Sequence, residues 1–173
     1  IGPVTGLSPE DRPDTPGENG DDAMRFAVIF LFLLLTGCAT TIDDGLRTVP
    51  SAHDVPTTVE RLEAALTERG MTIFNVIDHA AGAASVDQSL RPTVLVLFGN
   101  PRVGTRLMNC EQRVGIDLPM KALIYEDEDG LTYLAYNPGF WIAERHGLGA
   151  CSGVVQNVNN ALAAFANAAT AGP

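Results

Sequence analysis

A hairpin constrains this chain more than any other feature. Lys121 to Tyr125 and Leu131 to Tyr136 are strand-length runs, and Glu126-Asp127-Glu128-Asp129-Gly130 joins them. Asp-Gly supplies the positive φ that a tight hairpin turn requires. Strands joined so closely are antiparallel, because a parallel pair needs a crossover of a dozen or more residues. A doubly wound parallel sheet is thereby excluded. The rest of the pattern alternates around this unit. Thr57 with Glu60 three residues later reads as a capping box. It opens a helix whose Val59, Leu62, Ala65 and Leu66 share one face and which Gly70 stops. Met71 to Asp78 reads as a strand, and His79 to Val86 as a short helical turn. Thr93 to Phe98 is a continuous apolar run, predicted as a central strand buried on both faces. Asn100-Pro101 opens a helix to about Arg113, with proline where its missing N–H costs nothing. A short helix from Pro138 to His146 ends at Gly147. A last helix begins near Ser152 with the stripe Val154, Val158, Leu162, Phe165 and Ala169. The predicted class is α+β, a two-layer arrangement of a mixed or antiparallel sheet of about five strands with helices packed on it.

Composition narrows the partners. The 173 residues suit one ordinary domain. With 11 Lys+Arg against 21 Asp+Glu the net charge is -10, which argues against a nucleic-acid binder. An apolar fraction of 46% with 18% charged residues argues against wholesale disorder.

The N-terminal segment concerns delivery. Residues 1–23 are rich in proline, glycine and acids and show no apolar periodicity. They read as disordered or as a mis-called upstream segment. Met24-Arg25 then precedes ten apolar residues, Phe26 to Leu35. That is half of what a membrane span needs and the length of a signal-peptide core. Leu35-Thr36-Gly37-Cys38 follows and resembles a bacterial lipobox. The expectation is a start at Met24, removal of residues 24–37 as a lipoprotein signal peptide, and lipidation (palmitate among the acyl chains) of Cys38. Residues 38–50 would be a tether, 51–148 the domain, and 149–173 a C-terminal helix packed on it. Ala39 after the cysteine favours the outer membrane in a Gram-negative cell.

Several segments in order resemble the family of domain of unknown function 302 (DUF302). They include Ile77-Asp78-His79-Ala80-Ala81-Gly82, Phe98-Gly99-Asn100-Pro101, Gly115-Ile116-Asp117-Leu118-Pro119 and Arg145-His146-Gly147-Leu148. The resemblance covers roughly residues 55–148. It implies an α+β fold and a homodimer, and it brings no established enzymatic activity. The family places an acidic residue and a proline after the Tyr-Asn pair, where this chain has Pro138-Gly139 after Tyr136-Asn137. Cys110 and Cys151 stand outside the family pattern.

The chemistry-bearing residues each admit two readings. In an oxidising envelope Cys110 and Cys151 would form a disulfide pinning the last helix to the Asn100 helix; otherwise they are free thiols. His79 and His146 with Asp78 and Asp117 would make a metal or acid–base site if the fold joins them. Separately, His146 suits a helix C-terminus and His79 a local backbone bond. Lys121, the only lysine, is either a desolvated nucleophile or the partner of Asp117 or Glu126. Asn100 and Thr105 flank a helix N-terminus that would take an anion, or Asn100 simply caps it. The candidate ligand pocket is therefore His79, Asn100, Thr105, Asp117, Lys121 and His146. No catalytic residue, metal or cofactor is assigned. The favoured function is a non-enzymatic envelope lipoprotein binding a small ligand or a protein partner. The alternative is an enzyme or metal-binding protein using a His/Asp/Lys cleft.

Overall fold

The computed structural model describes Gly2 and residues 45–172. Apart from Gly2, the expected upstream segment lies outside the described residues, as do the expected signal peptide, the expected lipidation site Cys38 and the first residues of the expected tether. Five strands form one antiparallel sheet: β1 (Arg47–Pro50), β2 (Thr72–Asp78), β3 (Thr93–Gly99), β4 (Met120–Glu126) and β5 (Thr132–Tyr136), in the order β1-β5-β4-β3-β2. Five α-helices accompany it among the described residues: α1 (Val55–Glu68), α2 (His79–Ala84), α3 (Pro101–Cys110), α4 (Gly139–His146) and α5 (Ser152–Thr170). The predicted α+β class holds, and the sheet is antiparallel throughout, not mixed.

Local chemistry places the elements. Asp54, not Thr57, caps α1: its carboxylate accepts the Thr57 N–H at 2.9 Å, with Pro56 in the first turn. The helix therefore starts two residues before the expected box. Asp78 caps α2 and Asn100 caps α3 in the same manner. Asp127 accepts the N–H groups of Asp129 and Leu131, and Gly130 takes φ +76°, which closes the β4–β5 hairpin. The last four residues of the expected tether are β1, paired with β5.

Pairing decides which side of each strand meets the helices. Val96 faces Ala122, Phe98 faces Met120, and Ile124 faces Leu134; this face is buried. Leu62 and Leu66 of α1 and Leu162, Phe165 and Ala169 of α5 join it in one core. Phe98 and Phe165 meet edge to face at 6.0 Å, the arrangement aromatic quadrupoles favour. Burying such side chains stabilises by about 1.5–3 kcal/mol each. On the opposite face Leu95, Leu97, Leu123, Tyr125 and Tyr133 are only half-buried. β3 is thus an inner strand, as expected, but it is not buried on both faces. It lies between β2 and β4, and the layer that would cover its second face is not among the described elements.

α4 crosses α5 closely at Gly139. A Cβ there would meet the Val155 carbonyl at 3.1 Å and the Asn159 nitrogen at 3.3 Å. The Asn159 side chain accepts the Gly139 N–H at 3.1 Å. This explains the glycine that departs from the family pattern. α3 is shorter than expected, ending at Cys110, and a 3-10 turn over Gln112–Ile116 follows it.

Candidate functional site

The six predicted pocket residues separate into three places. His79 starts α2, exposed, beside the end of β2 that pairs with Val94. Lys121 and Asp117 lie at the other end of the sheet, where Met120 pairs with Phe98. Seven-residue strands put roughly 20 Å between those ends. His79 therefore leaves the candidate site, and its neighbour Asp78 is occupied as a helix cap.

Asp117, His146 and Lys121 do converge. The 3-10 turn delivers Asp117 to the last residue of α4, where His146 Nε2 donates to Asp117 Oδ2 at 2.5 Å. The two side chains are 15% and 9% exposed, so the pair is sheltered from water. Arg145 Nε stands 3.5 Å from the same oxygen, and its guanidinium lies over the Trp141 ring at 5.4 Å. Lys121 does not take a carboxylate. Its ammonium donates to the backbone carbonyls of Asp117 at 2.9 Å and Pro119 at 3.2 Å, across the cis Leu118–Pro119 peptide. The expected Lys–Asp pairing is thus replaced by a clamp on the loop that carries Asp117.

Asn100 and Thr105 belong to a separate cavity of about 510 Å³, walled by α3, the 3-10 turn, the Leu118–Pro119 loop and α5. Phe98, Leu107, Met108, Leu118 and Phe165 give it an almost wholly apolar surface, and Asn100, Thr105 and Asn157 are its polar groups. Asn100 Oδ1 accepts the Arg102 N–H at 3.0 Å, so its oxygen serves the helix. Phe74 stands at the mouth, 52% exposed, at the bulge between Ile73 and Asn75. Its ring lies over Gly99, where a Cβ would meet it at 3.4 Å. A shallow basin lies across the 3-10 turn, lined by Gln112, Arg113, Gly115, Ile116, Arg145 and His146. Glu111 grips Arg113 there with two hydrogen bonds, which hold the Glu111 carboxyl down to about 2.

Sequence reading missed Phe74, Arg113 and Arg145. Phe74 looked like one more strand residue, since a bulge leaves no mark in the pattern. Arg145 stood beside His146 in a quoted family segment and was the available signal. Cys110 at the end of α3 and Cys151 just before α5 stand with their Cα atoms 6.5 Å apart, within disulfide range.

The chain is similar to three curated proteins of Brucella, each 46% identical over 116 residues, which is 67% of this chain. They are named fluoride-specific ion channel FluC 1 in Brucella suis biovar 1 and Brucella abortus biovar 1, and FluC 2 in Brucella melitensis biotype 1. The chain spans only 46% of the first and 43% of the other two. No helix among the described residues is long and apolar enough to cross a membrane. A crystal structure of an uncharacterized conserved DUF302 protein from Bacillus stearothermophilus shares the fold. Its TM-score is 0.67 at 21% identity, over 73% of this chain and 98% of that one. The family model for domain of unknown function DUF302 matches residues 47–165, from β1 into α5, and the chain therefore belongs to the DUF302 family.

Proposed function

We propose that this chain is an envelope lipoprotein, anchored through Cys38, whose DUF302 domain binds a small apolar ligand as a non-enzymatic receptor. The observation that carries the reading is the cavity between α3 and α5. Its volume of about 510 Å³ falls in the range of small-molecule sites, and its lining is apolar with a few polar groups, as such sites are. The apolar run before the lipobox supports the anchor, since two or more acyl chains hold a protein stably at a bilayer. The fluoride-channel names belong to proteins of which this chain matches less than half, and the reading takes nothing from them.

The test is a titration of the full chain with N-phenyl-1-naphthylamine, a neutral dye that brightens in apolar surroundings. Gly104 faces the cavity with its nearest non-local side-chain atom, Leu118 Cδ1, 3.7 Å from where a Cβ would sit. A larger residue fits the helix there and fills the space. One saturable site that Gly104→Leu removes is the expected result. A signal indifferent to Gly104→Leu would refute the cavity as the site.

A second reading has one observation in its favour. A carboxylate bonded to a sheltered imidazole is the arrangement that acid–base catalysis uses to orient a histidine. Among the described residues no group of three His, Cys, Asp or Glu side chains is placed to hold a metal ion. The metal form of that reading has no geometric support there.

A further inference from the structure

The apolar cavity and the basic basin share one lining residue, Gly115. It has no side chain to stand between them, and a Cβ there would already touch Met108 Sδ at 3.4 Å. Ile116, its neighbour, is 75% exposed on the basin side, a large aliphatic group with no cover. Arg145 and His146 line the same basin.

The charges of this acidic chain are unevenly placed. Arg102, Arg106, Arg113, Lys121 and Arg145 all belong to the elements around the cavity end of the sheet. The acidic run Glu126 to Asp129 lies at the opposite end, in the β4–β5 turn. Glu111, Asp117 and the exposed Glu144 beside Arg145 partly offset the basic end. However, Glu111 is committed to Arg113, and Asp117 holds His146 at 2.5 Å but Arg145 only at 3.5 Å. A contact that long lies beyond a good hydrogen bond and leaves donor capacity on a guanidinium that is half exposed. Its planar fork suits a carboxylate or a phosphate.

We infer that the ligand is a single-chain amphiphile with an anionic head. The tail fills the α3–α5 cavity, the first methylenes cross Gly115 and cover Ile116, and the head sits at Arg145 beside His146. This inference rests on the cavity reading above and adds the head group to it. Asp117 then acts as a positioning residue that fixes the His146 ring, while Lys121 holds the loop carrying Asp117.

The test compares two probes of one chain length, dodecanoate and dodecanol, by displacement of the neutral dye from the full chain at low salt and pH 8. Dodecanoate is expected to bind at least tenfold more tightly, with the preference shrinking as sodium chloride rises. Arg145→Gln is expected to reduce that ratio at least fivefold. Arg113→Gln, at a side chain 84% exposed and so without risk to the core, is expected to reduce it by a smaller factor in the same direction. Equal binding of both probes, or a preference that neither substitution nor salt alters, overturns the head-group site and leaves the cavity standing. Failure of both probes to displace the dye overturns the cavity reading, and this inference falls with it.

Discussion

Glu111 and Arg113 show how much two positions on either side of one residue can do. The Glu111 carboxylate accepts the Arg113 backbone N–H and both ends of its guanidinium fork. These bonds hold its pKa at about 2, below the ordinary 4.5. A depressed carboxyl contributes stability that is present above its ordinary pKa and lost as pH falls toward 2. Because the pair is exposed, the contribution is small and screened by salt. Carbon NMR of the Glu111 carboxyl should find a midpoint near 2, and Arg113→Ala should return it toward 4.5. A wild-type midpoint near the ordinary value would mean that the pair does not persist in solution. Other residue-scale features were partly legible. Asn100 as the cap of α3 and Gly147 as the left-handed stop of α4 follow from rules that involve only a few neighbouring residues. Lys121 did not follow. Its partners are carbonyls exposed by the turn at the cis Leu118–Pro119 peptide, and sequence spacing gives no view of which way a loop turns its carbonyls.

At the scale of elements, the order of strands and helices was legible because each has its own periodicity and its own stop. Burial of the second sheet face was not. The continuously apolar Thr93–Phe98 run is an inner strand, yet its continuity does not tell which face the helices cover, and the other face is only half-buried. The three places into which the candidate pocket separated have the same origin. His79 and His146 each adjoin a helix end, and only the antiparallel register puts one at each end of the sheet. The cysteines make an element-scale prediction. We propose that Cys110 and Cys151 are bridged in the native protein, tying α3 to the start of α5, the two helices that wall the cavity. A loop closed across a sequence separation of 41 corresponds to about 4 kcal/mol in the chain-entropy account, and native proteins commonly realise about 2–4. Cys151→Ser should lower the unfolding free energy by about that much in denaturant titration. An unchanged midpoint, or two titratable thiols in the unfolded wild type, would show that the bridge is not formed.

At the scale of the whole fold, the described residues cover one sheet face and half-cover the other. On the second face Leu95, Leu123 and Ala135 make a cross-strand row. Thr93, Tyr125 and Tyr133 make another, in which the two tyrosine rings stack at 5.7 Å. Lys121 belongs to this face by register, but its ammonium turns away to the loop carbonyls, which leaves the face more apolar than its sequence suggests. We propose that a second copy covers it, the homodimer that the family resemblance implies. Five strands about 4.8 Å apart and about 20 Å long present roughly 400–500 Å² in projection. A standard interface buries about 800 Å² per partner. The face alone is therefore short of a permanent dimer, and association should depend on concentration. Sedimentation equilibrium should show monomer and dimer exchanging in the micromolar range. Leu123→Glu puts a charge in the middle of the apolar row at a half-buried position, where the monomer can still solvate it. It should leave the chain monomeric at every concentration tested, with its circular dichroism unchanged. A wild type that stays monomeric at high concentration, or a dimer that tolerates Leu123→Glu, would place self-association elsewhere. The open face would then be left to a different protein.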